Sequence, residues 1–293
     1  MRTSKNLHLG EEALGGLSAG IVGTIIGYPL DLVKTRMQTS GGSLSIAGVA
    51  SSVVRHEGVF ALYKGIAPPL ISLSILNTLN FSSYSFFRDL LHAKHGWDYR
   101  NAVAGMMGAP IGSMVSTVEN LVKTQMQLDN ISRQRFEGSW HCVRSLVQSH
   151  GLSVLYTGHV VNTFREMTFL GCYFLTYEGF RQGLVGSHIP AKVAVPVAGG
   201  MAGALSWFVS FPLDCVRAGV QGHNLDDTKR VRAWRVLSNL IKERGVRGLY
   251  SGVTPSICRA FLVSGSRFSA YEGALWLLRG VNTGAPIESN ELI

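Results

Sequence analysis

The sequence carries little charge and few cysteines, and it lacks the motifs of the common enzyme classes. Charged residues make up 15% of its 293 residues, a low share for a soluble protein. The four cysteines are scattered without CxxC spacing, so they predict isolated packing thiols rather than a disulfide framework. The sequence shows no GxxxxGK[ST] loop, no nucleophile elbow and no His-rich ligand set. We therefore expect neither an enzyme nor a metal site.

Apolar residues and glycine are abundant instead. Hydrophobic residues make up 46% of the chain, which also contains 34 glycines, and the mean hydropathy is +0.19. These values favour a membrane protein whose helices surround something polar. The net charge of +9 is compatible with nucleic acid or an anionic surface as a partner. Because no aromatic-interleaved basic stripe or RNA-binding motif occurs, we expect a lipid bilayer and no nucleic acid.

A motif of proline, acid and base ends three apolar, glycine-rich runs. It reads PLDLVK from Pro29, PLDCVR from Pro212 and, in altered form, VENLVK from Val118. Two further sets of positions recur at spacings of 93 and 94 residues, namely Gly65, Gly158 and Gly252, and Tyr84, Tyr177 and Tyr271. This periodicity predicts a single domain over residues 1–293, built of three repeats. The repeats cover residues 11–97, 98–189 and 190–280.

Each repeat predicts two long helices joined by a short amphipathic segment. The first helices are expected near 11–38, 100–127 and 194–221, and the second near 65–91, 159–184 and 253–279. The uncharged cores of the first helices are about 18–21 residues long, enough to span a bilayer. The segments between the long helices alternate apolar and basic residues, as helices at a membrane interface do.

The repeated motif resembles Px[DE]xx[KR]x[KR] of the mitochondrial carrier family, and the aromatic-basic-Gly phrase at Tyr63-Lys64-Gly65 supports the resemblance. The resemblance covers residues 11–280. It implies an all-α membrane protein with six transmembrane helices in a three-fold pseudo-symmetric bundle and three short matrix-side helices. It also implies a small-molecule substrate, a functional monomer, the mitochondrial inner membrane, and both termini toward the intermembrane space. Residues 1–10 are too short for a transit peptide, so we expect the targeting signal inside the chain.

The resemblance places a matrix gate at the ends of the first helices, where acid and base lie three residues apart on one helix face. In the family order we expect three contacts: Lys34 with Asn120, Lys123 with Asp214, and Arg217 with Asp31. Bracing glutamines are expected four residues after each base, at Gln38, Gln127 and Gln221.

A cytoplasmic gate is implied at the other end of the second helices, in the three tyrosine motifs. We expect Arg88 to pair with Glu178, and Arg181 to pair with Glu272. The third pair is absent because Ser85 and Leu275 carry no charge. The residues of this gate are Tyr84, Arg88, Tyr177, Glu178, Arg181, Tyr271 and Glu272.

Substrate contacts are expected halfway along the second helices. Ser72, Arg165 and Arg259 each lie twelve residues before the tyrosine of their repeat, or about 18 Å along a helix. Ionisable groups inside a span usually mark function, and repeat-built transporters bind near the midplane. By resemblance, the pair Arg165 and Glu166 indicates an amino-acid or carnitine carrier, with Glu166 for an ammonium and an arginine for a carboxylate. Arg267 either lines the cavity or extends to the membrane surface.

The sequence departs from that subgroup in ways that leave other functions open. Thr168 and Leu262 stand where the subgroup has proline, and Asn120 replaces an acid, with Glu119 turned about 100° away around the helix. One alternative is a carrier of keto acids, nucleotides or protons. Another is a carrier-like membrane adaptor that does not transport.

The resemblance also implies structural cardiolipin and no other cofactor. The lipid phosphates would bind the amides at helix N-termini near Gly65, Gly158 and Gly252.

Overall fold

The computed structural model describes residues 2–39, 45–94, 96–132, 136–223, 232–266 and 270, and within them it contains helices and no strands. In chain order the helices are α1 (Arg2–Thr39), α2 (Ile46–Glu57), α3 (Ala67–Leu90), α4 (Tyr99–Ser132), α5 (Ser139–His150), α6 (His159–Gly186), α7 (Ala191–Gln221), α8 (Ala233–Gly248) and α9 (residues 253–266). The predicted alternation of long and short helices is confirmed over these residues. Helix α1 begins earlier than predicted and α4 ends later.

The three short helices end at the same kind of turn. Gly58, Gly151 and Gly245 have φ values of 85°, 78° and 65°, in the left-handed region that favours glycine. Gly245 lies within the bounds of α8 and breaks its helical geometry. Two of these turns are followed by a 3-10 segment, Val59–Tyr63 or Leu152–Tyr156. The backbone therefore repeats even where the side chains of the three units differ.

Polar side chains are buried while large apolar side chains are exposed. The fully buried polar residues include Asn101, Gln127, Asn162, Asp214 and Gln221. The exposed apolar residues include Ile25, Ile71, Met114, Phe164 and Val209 on five long helices. In soluble domains polar residues are mostly exposed, whereas here the buried polar side chains form a polar interior. An apolar surface around a polar interior is the arrangement expected of a membrane carrier.

Small residues allow two of the long helices to approach closely. A Cβ atom built on Gly105 of α4 would lie 2.7 Å from the carbonyl oxygen of Leu170 in α6. The same region is filled by an apolar cluster that includes Tyr84, Ala109 and Phe174. Tyr84 and Phe174 stack with ring centroids 3.6 Å apart. Helices α3, α4 and α6 thus pack around this cluster, and Gly105 leaves room for the approach.

Length and composition identify few clear membrane spans in the described part of the chain. Residues Val193–Gln221 of α7 form one helix that is long and apolar enough to cross a membrane. A second candidate span forms if two segments that meet at a bend of 48° are taken together, Val59–Ser72 and Ile75–Leu90. The buried polar residues of the other long helices lower their mean hydropathy, so composition alone leaves the predicted count of six spans unconfirmed.

Candidate functional site

Two ion pairs join the ends of α1, α4 and α7. Lys34 Nζ of α1 lies 2.7 Å from Asp214 Oδ2 of α7, and Lys123 Nζ of α4 lies 2.6 Å from Asp31 Oδ2 of α1. All four residues belong to the repeated motif. The Lys34 ammonium also lies 3.8 Å from the centroid of the Trp207 ring, close enough for a cation–π interaction. The three motifs therefore converge and form a charged network between the helices.

The predicted partners of these bases were wrong. Lys34 meets Asp214 rather than Asn120, and Lys123 meets Asp31 rather than Asp214. The order of pairing around the three helices runs in the opposite sense to the prediction. Spacing along a helix puts acid and base on one face, but it does not say which neighbouring helix each will contact. That choice follows from the order in which α1, α4 and α7 stand around the bundle.

Arg217 does not contact Asp31, which corrects the third predicted pair. Its guanidinium group donates to Asp214 Oδ1 at 3.0 Å and to Gln221 Oε1 at 2.7 Å, both on its own helix. The observed order would point Arg217 toward position 120, where the chain has Asn120 instead of an acid. Asn120 donates instead to Asn162 Oδ1 at 3.3 Å. The missing carboxylate explains why Arg217 bonds within α7.

The three predicted bracing glutamines have different surroundings. Gln38 Nε2 donates to Asp214 Oδ2 at 2.8 Å, and so supports the Lys34–Asp214 pair. Gln221 accepts from Arg217, and its Nε2 lies within hydrogen-bonding distance of the Thr157 carbonyl oxygen, at 3.3 Å. Gln127 is fully buried in α4, and its side-chain atoms make no hydrogen bond of normal geometry to the residues that the structure describes. Two of the glutamines therefore contact the charged network directly.

The three glycines predicted to bind lipid stand at close contacts between helices. Gly65, Gly158 and Gly252 have φ values of 85°, 76° and 87°. A Cβ on Gly65 would lie 3.0 Å from Tyr28 Oη, and a Cβ on Gly252 would lie 3.2 Å from the Lys34 carbonyl oxygen. Each glycine thus permits the start of a second helix to pack against a first helix near the ion pairs.

The described part of the predicted cytoplasmic gate lies on α3 and α6. Arg181 and Glu178 are 3.2 Å apart within α6, one helical turn from each other. Tyr84 Oη donates to Asn101 Oδ1 at 3.0 Å. Tyr177 stacks on Tyr173 with ring centroids 5.8 Å apart. Arg88 is half-buried near the end of α3, and its pairing with Glu178 stays a prediction. Tyr271, Glu272 and Arg267 lie outside the described residues.

The charged groups predicted at mid-depth contact one another and the acids of the charged network. Arg165 Nη2 lies 2.7 Å from Glu166 Oε1, which also accepts from Ser116 Oγ at 3.3 Å. Arg165 Nε is 3.9 Å from Asp214 Oδ1, and Arg259 Nε is 2.7 Å from Asp31 Oδ1. Both arginines are therefore placed beside a carboxylate of the charged network, which the sequence did not indicate.

Two residues near these groups were not predicted as site residues. Trp207 of α7 lies under Lys34 and near Arg165, with 5.6 Å between the Arg165 guanidinium carbon and its ring centroid. No sequence signal singled it out. Glu119 of α4 accepts a hydrogen bond from Ser72 Oγ, the group predicted at mid-depth in the first repeat. The sequence feature that could have identified Glu119 is an acid at a motif position where the other two repeats have leucine.

Comparison with known proteins agrees with this architecture. The family model described as mitochondrial carrier protein matches residues 5–95, 97–188 and 192–281. Solute carrier family 25 member 45 of Mus musculus is 30% identical over 286 residues, covering 92% of this chain and 99% of that protein. The Mitochondrial arginine transporter BAC2 of Arabidopsis thaliana is 31% identical, covering 91% of this chain and 90% of that protein. Solute carrier family 25 member 48 of Bos taurus is 27% identical over 300 residues, covering 92% of this chain and 96% of that protein.

Three family matches and the converging motifs lead to one conclusion. The ion pairs Lys34–Asp214 and Lys123–Asp31 arise from the same repeated motif that carried the resemblance. The family model spans nearly the whole chain in three successive segments. The chain belongs to the mitochondrial carrier family, whose members are transporters.

Proposed function

We propose that the protein transports an amino-acid-like or carnitine-like solute, zwitterionic or cationic, across the mitochondrial inner membrane by alternating access. In this proposal six helices form a three-fold pseudo-symmetric bundle and a single chain is the transporting unit. The short helices α2, α5 and α8 lie on the matrix side, and both termini face the intermembrane space. The charged network that joins α1, α4 and α7 is then the matrix gate.

The observation that carries this proposal is the pair of opposite charges on neighbouring positions of α6, the buried Arg165 and the half-buried Glu166. Arg165 is 7% exposed, and its guanidinium is 2.7 Å from the Glu166 carboxylate. A zwitterion offers both charges of such a pair a new partner. Glu166 would bind an ammonium group, while Arg165 or Arg259 would bind a carboxylate through charge-assisted hydrogen bonds.

Contacts between the arginines and the gate acids suggest how binding is coupled to opening. Arg259 contacts Asp31, and Arg165 lies near Asp214. A substrate carboxylate would compete with these acids for the arginines. Each acid would then lose one of the cations that neutralise it, so the ion pairs between the long helices would weaken. A ligand shifts a conformational equilibrium by such differential contacts.

The relatives lend support to the amino-acid class. The Arabidopsis thaliana protein that is 31% identical to this chain is called a mitochondrial arginine transporter. The solute carrier family 25 members 45 and 48 are named by number, and their names specify no substrate. The substrate class therefore rests on the charges at mid-depth and on this one named relative.

Cardiolipin is part of the proposal as a structural lipid. Its phosphates would bind the backbone amides that follow Gly65, Gly158 and Gly252, where helices α3, α6 and α9 begin. The positive φ of each glycine sets the turn before the helix. Delipidation should lower the unfolding temperature of the purified protein, and added cardiolipin should restore it better than phosphatidylcholine does.

The experiment that tests the function is uptake into proteoliposomes, with thermal stability in detergent as a check for binding. A bound solute raises the stability of the folded protein by mass action. We expect arginine, lysine, ornithine or a carnitine ester to raise the unfolding temperature and to be taken up. Glu166→Gln and Arg165→Ala should each lose most of that uptake, whereas Glu243→Gln on the exposed face of α8 should retain it.

Other outcomes would replace the proposal. Uptake of nucleotides or keto acids alone would keep the family and contradict the substrate class. Indifference of transport to Glu166→Gln would remove the role of Glu166 in ammonium binding. A folded, reconstituted protein that takes up no solute of the panel would favour a membrane adaptor.

A further inference from the structure

Glu119 lies beside the proposed substrate contacts. Ser72 Oγ of α3 donates a hydrogen bond to Glu119 Oε2. Ser116, one turn earlier on α4, donates to Glu166 Oε1 at 3.3 Å. Residues three apart on a helix share a face, so Glu119 and Glu166 border the same space between α3, α4 and α6. Glu119 therefore stands at the depth of Ser72 and Glu166.

The charge balance around Glu119 differs from that of the neighbouring acids. Each neighbouring acid lies within ion-pair distance of at least one base. These pairs are Asp31 with Lys123 and Arg259, Asp214 with Lys34 and Arg217, and Glu166 with Arg165. In the described part of the chain, Glu119 has no cation within ion-pair distance, and its hydrogen bond comes from a neutral hydroxyl. The nearest base along α4 is Lys123, whose ammonium lies against Asp31 at 2.6 Å.

An uncompensated carboxylate inside a membrane protein is costly unless a cation joins it or a proton neutralises it. Glu119 is half-buried as a residue, and its carboxylate faces the Ser72 hydroxyl group. The corresponding positions of the other motifs are Leu30 and Leu213. The extra negative charge is thus particular to the second repeat and adds nothing to the pairs of the gate.

We infer that Glu119 binds a second cationic group of the substrate, so that the preferred solute is a basic amino acid rather than a neutral zwitterion. This inference rests on the proposed function and extends its binding site. Glu166 holds the α-ammonium group, Arg165 or Arg259 holds the carboxylate, and Glu119 holds the cationic end of the side chain. Ser72 orients the Glu119 carboxylate through its hydroxyl group.

Competition between arginine and citrulline tests this assignment. The two solutes have similar length and shape, but the citrulline side chain is uncharged. We expect proteoliposomes with the unaltered protein to prefer arginine by about tenfold or more, since a charged hydrogen bond differs from a neutral one by that order. Glu119→Gln should bring the ratio of arginine to citrulline uptake close to one. Glu119→Asp, which keeps the charge, should retain a preference for arginine.

Measuring both solutes in the same vesicles makes the ratio independent of how much protein folds. Glu243→Gln removes a carboxylate from exposed α8 and should leave the ratio unchanged. Uptake of arginine with the same ratio in Glu119→Gln would overturn the inference while leaving the proposed function intact. Transport of carnitine in place of amino acids would also overturn the inference. So would a Glu119→Gln variant in which only the pH dependence of uptake changes. Failure of the unaltered protein to take up any amino acid or carnitine would contradict the proposed function itself.

Discussion

Arg259 Nε lies 2.7 Å from Asp31 Oδ1, and this contact connects a proposed substrate residue of α9 to the proposed matrix gate on α1. Lys123 Nζ is 2.6 Å from the other oxygen of the same carboxylate. Asp31 therefore bridges two cations that come from different helices. The positions of α1, α4 and α9 depend jointly on this one acid.

Removing Asp31 should cost more stability than removing either of its partners. Asp31→Asn leaves two cations without their carboxylate, and breaking a buried pair costs about 3–5 kcal/mol. Arg259→Gln leaves Asp31 paired with Lys123, so we expect a loss nearer to about 1 kcal/mol. Thermal unfolding of the purified variants would rank them. Equal losses for the two variants would show that Arg259 and Lys123 do not share Asp31.

Asn120→Asp should supply the carboxylate that Arg217 lacks. The observed pairs place each base opposite the acid of the preceding repeat, and position 120 is the remaining acid position. A third ion pair should stabilise the closed gate by about 1 kcal/mol and slow transport. Stability and initial uptake rate would be measured together. Asn120→Ala is the control without charge. Combining Asn120→Asp with Arg217→Gln should cancel the gain in stability, and a gain that persists in this double variant would contradict the pairing.

Gly151→Ala should destabilise the protein more than Gly158→Ala does. Both glycines have a positive φ, 78° and 76°, but their ψ values are 173° and 12°. The backbone of Gly158 is left-handed helical, which costs other residues about 1–2 kcal/mol, whereas the region of Gly151 is reached essentially by glycine alone. A Cβ on Gly158 would lie 3.2 Å from Gln221 Cγ, while a Cβ on Gly151 meets no described atom within 4 Å. A larger drop in unfolding temperature for Gly158→Ala would show that the contact with α7 outweighs the backbone strain at Gly151.

The Cys142 thiol should react very slowly in the folded protein. Burial, followed by the charge of Asp129, raises the pKa of Cys142 to about 12. Because the thiolate is the reactive form, little of it exists at neutral or mildly alkaline pH. Above the ordinary thiol pKa, unfolded chains lose this proton and folded chains keep it, so rising pH destabilises the fold at this residue. Alkylation followed by peptide mass spectrometry should show Cys142 modified only after denaturation, with Cys142→Ala confirming the peptide.

The sequence was sufficient for the features that depend on local spacing. The alternation of long and short helices follows from apolar runs and glycine turns, and the positive φ of Gly58, Gly151 and Gly245 agrees with it. Acid and base three residues apart must share a helix face, so the presence of a charged network at the motif ends was predictable. The three segments that match the family model each contain one copy of the motif.

Only the tertiary structure decided which helix each charge contacts. The sense of the pairing around α1, α4 and α7 was predicted the wrong way round, because a motif on one helix fits either neighbour equally well. The contacts of Arg259 with Asp31 and of Ser72 with Glu119 join residues far apart in the chain. Local periodicity sets the face on which a side chain lies, but the packing of complete helices selects its partner.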